Sequence, residues 1–503
     1  MAGLARVWSR GQSGMQSEPV RVEVDIGSGL PTVLIVGLPE TAVREARDRV
    51  RAAINNSGFK FPDGRVTINL APADLPKEGG RFDLPIAIGV LIASGQMPEH
   101  CADGYELIGE LALGGELRSI RAAIPAALAV RQYDRKLIAP SDNQHELALV
   151  NGLDVRVADC LAQVTGFLRD DRTLPRPIAN TLSVAASGGP DLKDVRGQHG
   201  ARRALEVAAA GRHHLLLCGP PGTGKTLLAT RLTGLLPPLT ESEALEVLSI
   251  RSVAGDCIDA RLCAEPPLAA PHHSASMTAI AGGGTHPRPG EVSRAHNGVL
   301  FLDELPEFER RALEVLREPI ESGRIVISRV SGQCQFPARF QMVATMNPCP
   351  CGHLGDPEVM CTCGPTAVAR YRRRISGPLL DRIDLHVTVP RVPFDVLREP
   401  AGDATESSSS VRQRVTEARA RQLGRQSCAN ADLSGAGLES AAKLDQQGEM
   451  LLGRAATKFK LSARAIHRTL KVARTIADLA GSHDIAPLHL SEAIAMRGVD
   501  TVD

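Results

Sequence analysis

Aromatic residues, net charge and long apolar runs are all scarce in this 503-residue chain. Aromatics make up 3% of it and Trp8 is the single tryptophan, which argues against a surface where nucleic-acid bases stack on aromatic rings. Lysine plus arginine number 58 against 57 aspartate plus glutamate, so any contact with nucleic acid must come from a local patch. The longest apolar runs, such as residues 84–93, are far shorter than the ~20 residues that span a bilayer, and residues 1–16 contain no apolar segment typical of a secretory signal. We therefore expect a soluble cytoplasmic protein with no membrane partner.

The length predicts about three domains, and the 43% hydrophobic content is enough for several cores. Apolar and charged residues alternate over 20–26, which predicts a half-buried strand, and apolar residues repeat at helical spacing over 43–54. Strands and helices continue to alternate up to about Phe167. This pattern predicts an N-terminal α/β domain over residues 1–170, followed by a proline- and glycine-containing linker over 171–190.

The remainder of the chain divides into a motif-rich segment, a short linker and a helical segment. We predict an α/β core over residues 191–395 and a polar, flexible linker over 396–410, which includes four consecutive serines. Residues 411–503 form the third segment. Apolar residues between Ala463 and Ile476 share one helical face there, which predicts a helical domain.

A phosphate-binding loop is the most specific motif of the chain. Eight residues match G-x-x-x-x-G-K-[ST] in full, after an apolar strand at 215–217 and before a helix. They are Gly219, Pro220, Pro221, Gly222, Thr223, Gly224, Lys225 and Thr226. Glycines allow the backbone N–H groups to surround the phosphates of ATP, where side chains would collide. Lys225 is expected to contact the phosphates and Thr226 to bind Mg²⁺. The alternative is a glycine-rich turn without a ligand.

Two carboxylates follow the apolar run 299–302. In a parallel α/β sheet, ligands bind at the carboxyl ends of the strands, which is where Asp303 and Glu304 are predicted to lie. Asp303 is a candidate Mg²⁺ ligand and Glu304 a candidate for polarising the attacking water. By itself this pair is a weak signal. Combined with the preceding phosphate-binding loop it becomes a strong one.

Asn347 follows another predicted strand, at residues 340–345. Its neutral amide can hydrogen-bond both the attacking water and the γ-phosphate. The alternative is an asparagine that merely forms a turn before Pro348.

Four of the eleven cysteines are clustered in two Cys-x-Cys pairs. They are Cys349, Cys351, Cys361 and Cys363. Four thiolates are the number that a closed, structural Zn²⁺ site takes, although the one-residue spacers are tighter than the common spacing. His353 is a spare ligand, and the alternative is four reduced cysteines in a glycine- and proline-rich loop. Elsewhere no metal spacing links four further histidines, for which packing or interface roles are expected: His272, His273, His286 and His296.

The order of these motifs, followed by residues 377–384 (GPLLDRID), resembles the AAA+ ATPases. More narrowly the chain resembles the magnesium-chelatase I-subunit/MCM branch and its YifB/ComM-like family. Segments 271–276 (PHHSAS) and 346–352 (MNPCPCG) are among the family-specific strings. The resemblance runs almost from end to end. It implies a Lon-protease-like (S5 domain 2-like) α/β domain, a P-loop AAA+ core with a parallel sheet and zinc knuckle (349–363), and a C-terminal helical lid.

The resemblance also implies roles for three residues and an assembly. Asn347 matches sensor 1, Arg464 resembles sensor 2, and Arg382 matches the arginine finger that reaches the ATP of a neighbouring subunit. A planar, permanently charged guanidinium suits the negative charge that develops on a γ-phosphate. An arginine supplied in trans implies a ring, expected to be a homohexamer. The alternative for Arg382 is a structural ion pair with Asp381 or Asp384.

DNA is the partner that the resemblance implies. Residues 323–330 alternate Val and Ile with basic residues, which predicts one strand of an extra hairpin, and related hairpins contact DNA in the ring pore. Arg324 and Arg329 could bind phosphates without reading sequence. The equally weighted alternative is an edge strand guarded by charges.

The N-terminal domain is not expected to be a protease. Arg81 stands where Lon-type proteases have the catalytic serine, and 119–124 contains no lysine, whereas a Ser–Lys dyad needs both groups. The residues of the chain predict a Mg²⁺-dependent ATPase, and the family resemblance implies a ring that moves along DNA and promotes branch migration. Two alternatives remain, a chelatase-type motor and a protein-remodelling ATPase that does not translocate on DNA.

Overall fold

A computed structural model describes residues 3–38, 41–75, 77–178, 189–258, 264–284, 287–329, 332–398 and 406–497. The chain divides into two compact units. The first unit comprises Met1–Ala185, Thr240–Ala264 and Ser328–Phe336, and the second comprises Ala186–Leu239, Glu265–Ile327 and Pro337–Asp503. The first unit thus includes two segments from within the range 191–395, and the second unit includes the C-terminal helices.

The strands, in chain order, are β1 (Leu4–Ser13), β2 (Gln16–Gly27), β3 (Thr32–Val36), β4 (Arg65–Ala71), β5 (Tyr105–Leu107), β6 (Glu110–Leu111), β7 (Leu117–Arg118), β8 (Lys136–Pro140), β9 (Val155–Ala158), β10 (Leu215–Cys218), β11 (Leu268–Ala269), β12 (Gly282–Gly283), β13 (Arg288–Pro289), β14 (Val299–Leu302), β15 (Arg324–Arg329), β16 (Gly332–Pro337), β17 (Gln341–Met346) and β18 (Leu385–Thr388).

The α-helices, in chain order, are α1 (Thr41–Asn56), α2 (Asp83–Ala93), α3 (Ala123–Gln132), α4 (Gln144–Leu147), α5 (Leu161–Leu168), α6 (His199–Gly211), α7 (Lys225–Arg231), α8 (Glu241–Ala254), α9 (Met277–Ala281), α10 (Glu291–Arg294), α11 (Arg310–Glu314), α12 (Arg317–Ser322), α13 (Pro365–Arg372), α14 (Gly377–Leu380), α15 (Phe394–Arg398), α16 (Ser408–Gln426), α17 (Gly435–Ala441), α18 (Gln446–Lys458), α19 (Ala463–Leu479) and α20 (Pro487–Ala495).

The first unit is built on a mixed seven-stranded sheet with the order β3-β4-β2-β1-β5-β8-β9. The alternation predicted for residues 20–26 is confirmed in β2, whose three valines are buried while Arg21 and Asp25 are exposed. Helix α2 is buried along its whole length because it lies against β1 and β2. Helix α8 also belongs to this unit, since Leu245 and Leu248 join an apolar cluster with residues of α3.

The second unit contains a five-stranded sheet with the order β11-β14-β17-β10-β18. All four strand pairings are parallel. Alternate residues of β10 enter two apolar clusters, Leu215 and Leu217 one of them and Leu216 the other. Burial on both faces is typical of a parallel sheet and explains why β10, β14 and β17 are continuous apolar runs in the sequence. The strands that the sequence predicted here are confirmed.

The C-terminal segment is helical, as predicted. Val411 and Val415 of α16 share an apolar cluster with Val472 and Ile476 of α19 and with residues of β10. A correction concerns the predicted linker 396–410, of which residues 399–405 lie outside the described part. The serine run is not a loop: Ser407 caps α16, its hydroxyl accepting the N–H of Ser410, and the other three serines form the first helical turn.

Strands β15 (Arg324–Arg329) and β16 (Gly332–Pro337) pair as a separate two-stranded sheet, and they are the strands of the predicted hairpin. The predicted linker 171–190 is described only in part, because 179–188 lie outside the described residues. None of the described helices combines the length and the apolar composition needed to cross a bilayer.

Candidate functional site

The phosphate-binding loop, residues 219–226, leads from β10 into α7, and β10 lies between β17 and β18 in the parallel sheet. Gly222 and Gly224 have φ angles of +76° and +86°, which favour glycine. At Gly219 a Cβ atom would lie 2.2 Å from the carbonyl oxygen of Val389, so no side chain fits there. The hydroxyl of Thr223 donates to Pro220 O at 3.0 Å and closes the turn. The loop therefore has the local geometry of a backbone cradle at the N-terminus of a helix.

The ammonium group of Lys225 is turned into this loop. It donates to Gly219 O at 2.7 Å, to Pro220 O at 2.8 Å and to Asn347 Oδ1 at 3.1 Å. Burial lowers the pKa of Lys225 from its usual value, against the opposing effect of neighbouring acidic groups that include Asp303. A partly buried cation held by carbonyl and amide oxygens is a favourable partner for phosphate oxygens.

Asp303 and Glu304 lie at the carboxyl end of β14, and Asp303 is hydrogen-bonded on both carboxylate oxygens. Its Oδ2 accepts from Thr226 Oγ1 at 3.0 Å, and its Oδ1 accepts from Thr345 Oγ1 at 2.5 Å. The backbone N–H of Glu304 donates to the same Thr345 hydroxyl at 3.1 Å. Thr345 is buried and was missed by the sequence analysis, because its role depends on β17 lying beside β14 in the sheet.

Glu304 adopts a left-handed backbone conformation with φ +54°, which is uncommon for a residue other than glycine. Its side chain is 55% exposed, and its Oε2 lies 3.8 Å from His273 Nδ1. The His273 ring lies 4.0 Å from that of His272, centroid to centroid. Packing or interface roles were expected for these histidines, and the structure instead places His273 beside the candidate catalytic carboxylate. His286 lies outside the described residues.

Asn347 follows β17 and presents its amide to the phosphate-binding loop through the hydrogen bond from Lys225. Its backbone is hydrogen-bonded to the hydroxyl of Tyr371 on α13, and burial raises the pKa of Tyr371 to about 12. The position of Asn347 is thus fixed from both sides.

The two arginines with inferred roles meet at one carboxylate on α12. Arg382, whose side chain is 7% exposed, is 2.6 Å from Glu321 Oε1 and donates to Pro378 O at 2.6 Å. Arg464 lies at 3.9 Å from the same Glu321 oxygen and its side chain is 63% exposed. The alternative of an ion pair between Arg382 and Asp381 or Asp384 is replaced by the pair with Glu321.

Asp384 is instead bound by the lid helix α19. Arg468 donates to Asp384 Oδ1 at 2.5 Å and to the backbone oxygen of Arg382 at 2.7 Å. Burial on its own would raise the pKa of Asp384, but the charge of Arg468 and the nearby His213, whose Nδ1 lies 3.5 Å from Asp384 Oδ2, hold it well below its usual value. This buried pair was also missed from the sequence.

The four clustered cysteines have the geometry of a tetrahedral thiolate site. Their sulfur atoms all lie within 4.8 Å of one another. Three of the separations are 3.4–3.6 Å: Cys349–Cys351, Cys349–Cys361 and Cys351–Cys361. Since Zn–S bonds of about 2.3 Å give S···S edges of about 3.8 Å, the four residues fit Zn²⁺. Backbone N–H groups lower the pKa of Cys351 to about 5. His353 is hydrogen-bonded to Asp356 and is not part of this cluster.

A cavity of about 440 Å³ adjoins the phosphate-binding loop, within the size range of sites for small molecules. Its lining combines polar, charged and apolar residues. They are Asp194, Val195, Arg196, Gln198, Gly222, Thr223, Gly224, Leu227, Leu228, Glu358, Arg391, Val392 and Phe394. The side-chain amide of Gln198 links the phosphate-binding loop to the segment after β18, since it donates to Thr223 O at 3.3 Å and to Pro390 O at 2.7 Å.

The remaining predicted residues lie on the hairpin and in the first unit. Arg324 is exposed at the start of β15, and the side chain of Arg329 lies outside the described residues. Arg81 is buried and donates to Arg121 O at 2.5 Å, and burial lowers its pKa to about 10. Nearby, buried Lys77 donates to Pro72 O.

Comparisons with known proteins agree with this architecture. Profiles of the magnesium-chelatase group match three segments: "Subunit ChlI of Mg-chelatase" matches residues 22–143, "Magnesium chelatase, subunit ChlI" 191–397, and "Magnesium chelatase, subunit ChlI C-terminal" 405–497. Competence protein ComM of Haemophilus influenzae is 49% identical over 99% of this chain and 98% of its own length. YifB of Escherichia coli is 50% identical over 99% of this chain and 97% of its own length.

A more distant similarity connects the chain to Lon protease 2 of Bacillus subtilis, at 28% identity over 27% of this chain and 26% of that protein. A parallel sheet with a phosphate-binding loop after one strand and acidic residues after the next strand but one defines the class of P-loop nucleotide-binding proteins. Together with the near full-length relatives, this places the chain in the YifB/ComM-like family of magnesium-chelatase-type AAA+ proteins.

Proposed function

We propose that this chain is a Mg²⁺-dependent ATPase that forms a ring, moves along DNA and promotes branch migration in recombination or natural transformation. The observation that supports ATPase activity is that four side chains converge at the carboxyl edge of one parallel sheet. Lys225 is hydrogen-bonded to Asn347, and Thr226 is hydrogen-bonded to Asp303. These groups supply a cation, a hydroxyl, a carboxylate and an amide where backbone N–H groups can hold phosphates.

Mg²⁺ fits the pair formed by Thr226 and Asp303. Both offer hard oxygen ligands, and their oxygens lie 3.0 Å apart. When bound, the ion neutralises charge that develops on the phosphates. Thr345 keeps the Asp303 carboxylate in place through its second oxygen. Lys225 binds phosphate oxygens from the opposite side of the loop.

Glu304 orients and polarises the attacking water in this proposal, and Asn347 hydrogen-bonds the water and the γ-phosphate. Arg382 acts on the nucleotide of a neighbouring subunit as the arginine finger, which requires a ring, proposed to be hexameric. Arg464 approaches the γ-phosphate from the lid. A guanidinium stabilises the phosphoryl transition state because its charge is permanent and its donors form a planar fork.

DNA as the partner is supported by the relative from Haemophilus influenzae, which is named a competence protein, and by the β15–β16 hairpin. Arg324 is exposed on this hairpin, and ionic contacts of this kind bind DNA without reading its sequence. The four cysteines are proposed to hold a structural Zn²⁺, because four thiolates fill a tetrahedral site and leave no open position for catalysis.

The test is ATP turnover by the purified full-length protein with and without single-stranded and forked DNA. We expect DNA to stimulate turnover. Glu304→Gln should reduce turnover by about 100-fold or more, because the carboxylate that acts on the water is lost. Glu307→Gln is the matched control, since Glu307 is paired with Arg374 and has no proposed catalytic role.

The DNA half of the proposal is tested separately with Arg324→Ala. We expect DNA to stimulate turnover of this variant less, and the slope of log DNA affinity against log salt concentration to be shallower by about one unit. The control is Arg454→Ala on α18, which removes the same charge from an exposed lid position and should change neither quantity. Turnover that is indifferent to DNA at low salt would contradict the DNA motor and favour a chelatase-type or protein-remodelling motor. Absence of turnover under all conditions would contradict the ATPase itself.

A further inference from the structure

The cysteine knuckle packs directly against the phosphate-binding loop. Gly352, between the two cysteine pairs, has φ +87°, and a Cβ atom there would lie 2.7 Å from Pro221 Cδ and 3.2 Å from Pro221 Cγ. Glycine is therefore required at this position for two reasons, the left-handed backbone conformation and the close approach to Pro221. The contact transmits any displacement of the knuckle to Pro221, in the loop that surrounds the phosphates.

The same knuckle also supplies one wall of the cavity beside the phosphate-binding loop. Glu358 and Arg391 line this cavity together with Gly222 and Gly224. Arg391 is held by the knuckle, since its Nε donates to Asp356 Oδ2 at 2.9 Å and its Nη1 lies 3.7 Å from Glu358 Oε2. The side chain of Asp356 is buried. Arg391 thus takes its position from residues of the loop that the four cysteines close.

The knuckle is joined to the proposed catalytic centre along the chain as well. Cys349 is fully buried and follows Asn347 by two residues. A displacement of Cys349 would therefore also shift Asn347, whose side-chain oxygen accepts a hydrogen bond from the Lys225 ammonium group. Three independent links, through Pro221, Arg391 and Asn347, connect the knuckle to the nucleotide site.

We infer that a metal ion held by the four thiolates is required for tight nucleotide binding, because the metal-closed knuckle forms one wall of the cavity beside the phosphate-binding loop and supports that loop. This inference rests on the proposed function, since it takes an adenine nucleotide as the ligand. The physical reason is loop closure. A metal ion that joins Cys349 and Cys351 to Cys361 and Cys363 restrains residues 352–360 at both ends, and free thiols do not.

A matched pair of glycine variants tests the contact without touching the cysteines. Gly352→Ala and Gly355→Ala place the same methyl group in the same loop at φ angles of +87° and +77°, but a Cβ at Gly355 meets nothing within 4 Å. The strain of a left-handed alanine is therefore common to both, and only Gly352→Ala collides with Pro221. The measurement is the dissociation constant of a fluorescent ADP analogue, with metal content determined by elemental analysis.

We expect Gly352→Ala to weaken ADP binding about tenfold or more, equivalent to ~1.4 kcal/mol, with its metal content unchanged. Gly355→Ala should remain within about twofold of the wild type, a difference of only ~0.4 kcal/mol. Equal affinities for the two variants would overturn the inference. Circular dichroism of both proteins shows whether each retains its secondary structure.

A second arm removes the metal itself. Zn²⁺-loaded full-length protein is compared with protein stripped by a chelator under reducing conditions, and with Cys361→Ser. Cys257→Ser is the control, because Cys257 is an exposed cysteine outside the cluster. Stripping and Cys361→Ser should weaken ADP binding about tenfold or more, and re-addition of Zn²⁺ should restore the stripped protein.

The outcomes separate this inference from the proposed function. Wild-type protein that binds ADP equally well with and without its metal overturns the inference and leaves the ATPase standing. Wild-type protein that binds no adenine nucleotide in either form overturns both. Wild-type protein that holds no metal after loading with Zn²⁺, yet binds ADP tightly, also overturns the inference.

Discussion

Thr345 is the buried residue that contacts both acidic residues of the proposed catalytic centre, Asp303 through its carboxylate and Glu304 through its backbone. Its replacement by valine is the sharpest test of the geometry. The hydroxyl of Thr345 donates to Asp303 Oδ1 at 2.5 Å and accepts from the Glu304 backbone at 3.1 Å. Valine has almost the same shape but no hydroxyl. Thr345→Val therefore removes both hydrogen bonds while the side chain keeps its packing in the sheet.

The magnitude follows from the two bonds. A hydrogen bond to an ionised carboxylate is worth about 1.5–3 kcal/mol, and a buried N–H without a partner costs about 1–3 kcal/mol. If half of this combined loss is felt in the transition state, about 1.3–3 kcal/mol, kcat falls by about 8- to 160-fold. ADP affinity should change by less than about threefold, because Thr345 lies behind the carboxylates and the loop that holds the phosphates is untouched.

The assay is steady-state ATP turnover together with ADP binding for the wild type, Thr345→Val and Thr345→Ser. Serine retains the hydroxyl, so Thr345→Ser should keep most of the activity. A valine variant that turns over within about twofold of the wild type would refute the reasoning, because the positioning energy would then be under about 0.4 kcal/mol. Equal losses for valine and serine would refute it as well, since packing and not hydrogen bonding would then be responsible.

Three stability predictions follow from buried or capping groups. Asp384→Asn should lower the free energy of unfolding by about 3 kcal/mol, because the positive charge of Arg468 loses its buried partner. The pKa of Asp384 is held below the unfolded value of 3.8, so its contribution to stability is present at neutral pH and is lost as the pH falls below that value. Between pH 6 and pH 3, the free energy of urea unfolding should therefore fall less in the variant than in the wild type. Ser407→Ala should cost about 1 kcal/mol in urea unfolding, because α16 loses its cap. Glu106→Gln should cost about 3 kcal/mol in thermal or urea unfolding of the first unit, because the fully buried Arg10 then lacks a carboxylate partner.

The parts of the site that could be predicted from the sequence are those encoded in consecutive residues. The phosphate-binding loop needs glycines at fixed offsets and a strand and a helix on either side, so its signal lies within residues 215–232. Asp303 and Glu304 could be predicted because a short apolar run marks a buried strand, and ligands bind where such strands end. The fold class followed from the same strands together with the resemblance to a known family.

Residues whose role depends on pairing between distant strands could not be predicted in this way. Thr345 contacts Asp303 only because β14 and β17 pair with Leu302 opposite Ala344. His273 lies beside Glu304 because it follows β11, the neighbour of β14 at the edge of the sheet. The serine run was misassigned for a different reason. Its composition is typical of a flexible loop, whereas serine at an N-cap starts a helix by accepting a backbone N–H.

The lid arginines show how burial distinguishes two candidates one helical turn apart on α19. Arg468 is tied to Asp384 and to the backbone of Arg382, so its charge is already neutralised by a buried carboxylate. Moving Arg468 to a phosphate would leave Asp384 buried without a counter-ion, which is strongly unfavourable. Arg464 is 63% exposed and only 3.9 Å from the half-exposed Glu321, so it can change partners at little cost. The structure therefore favours Arg464 as the proposed phosphate-binding arginine of the lid, and Arg468 as the residue that fixes the lid to the core.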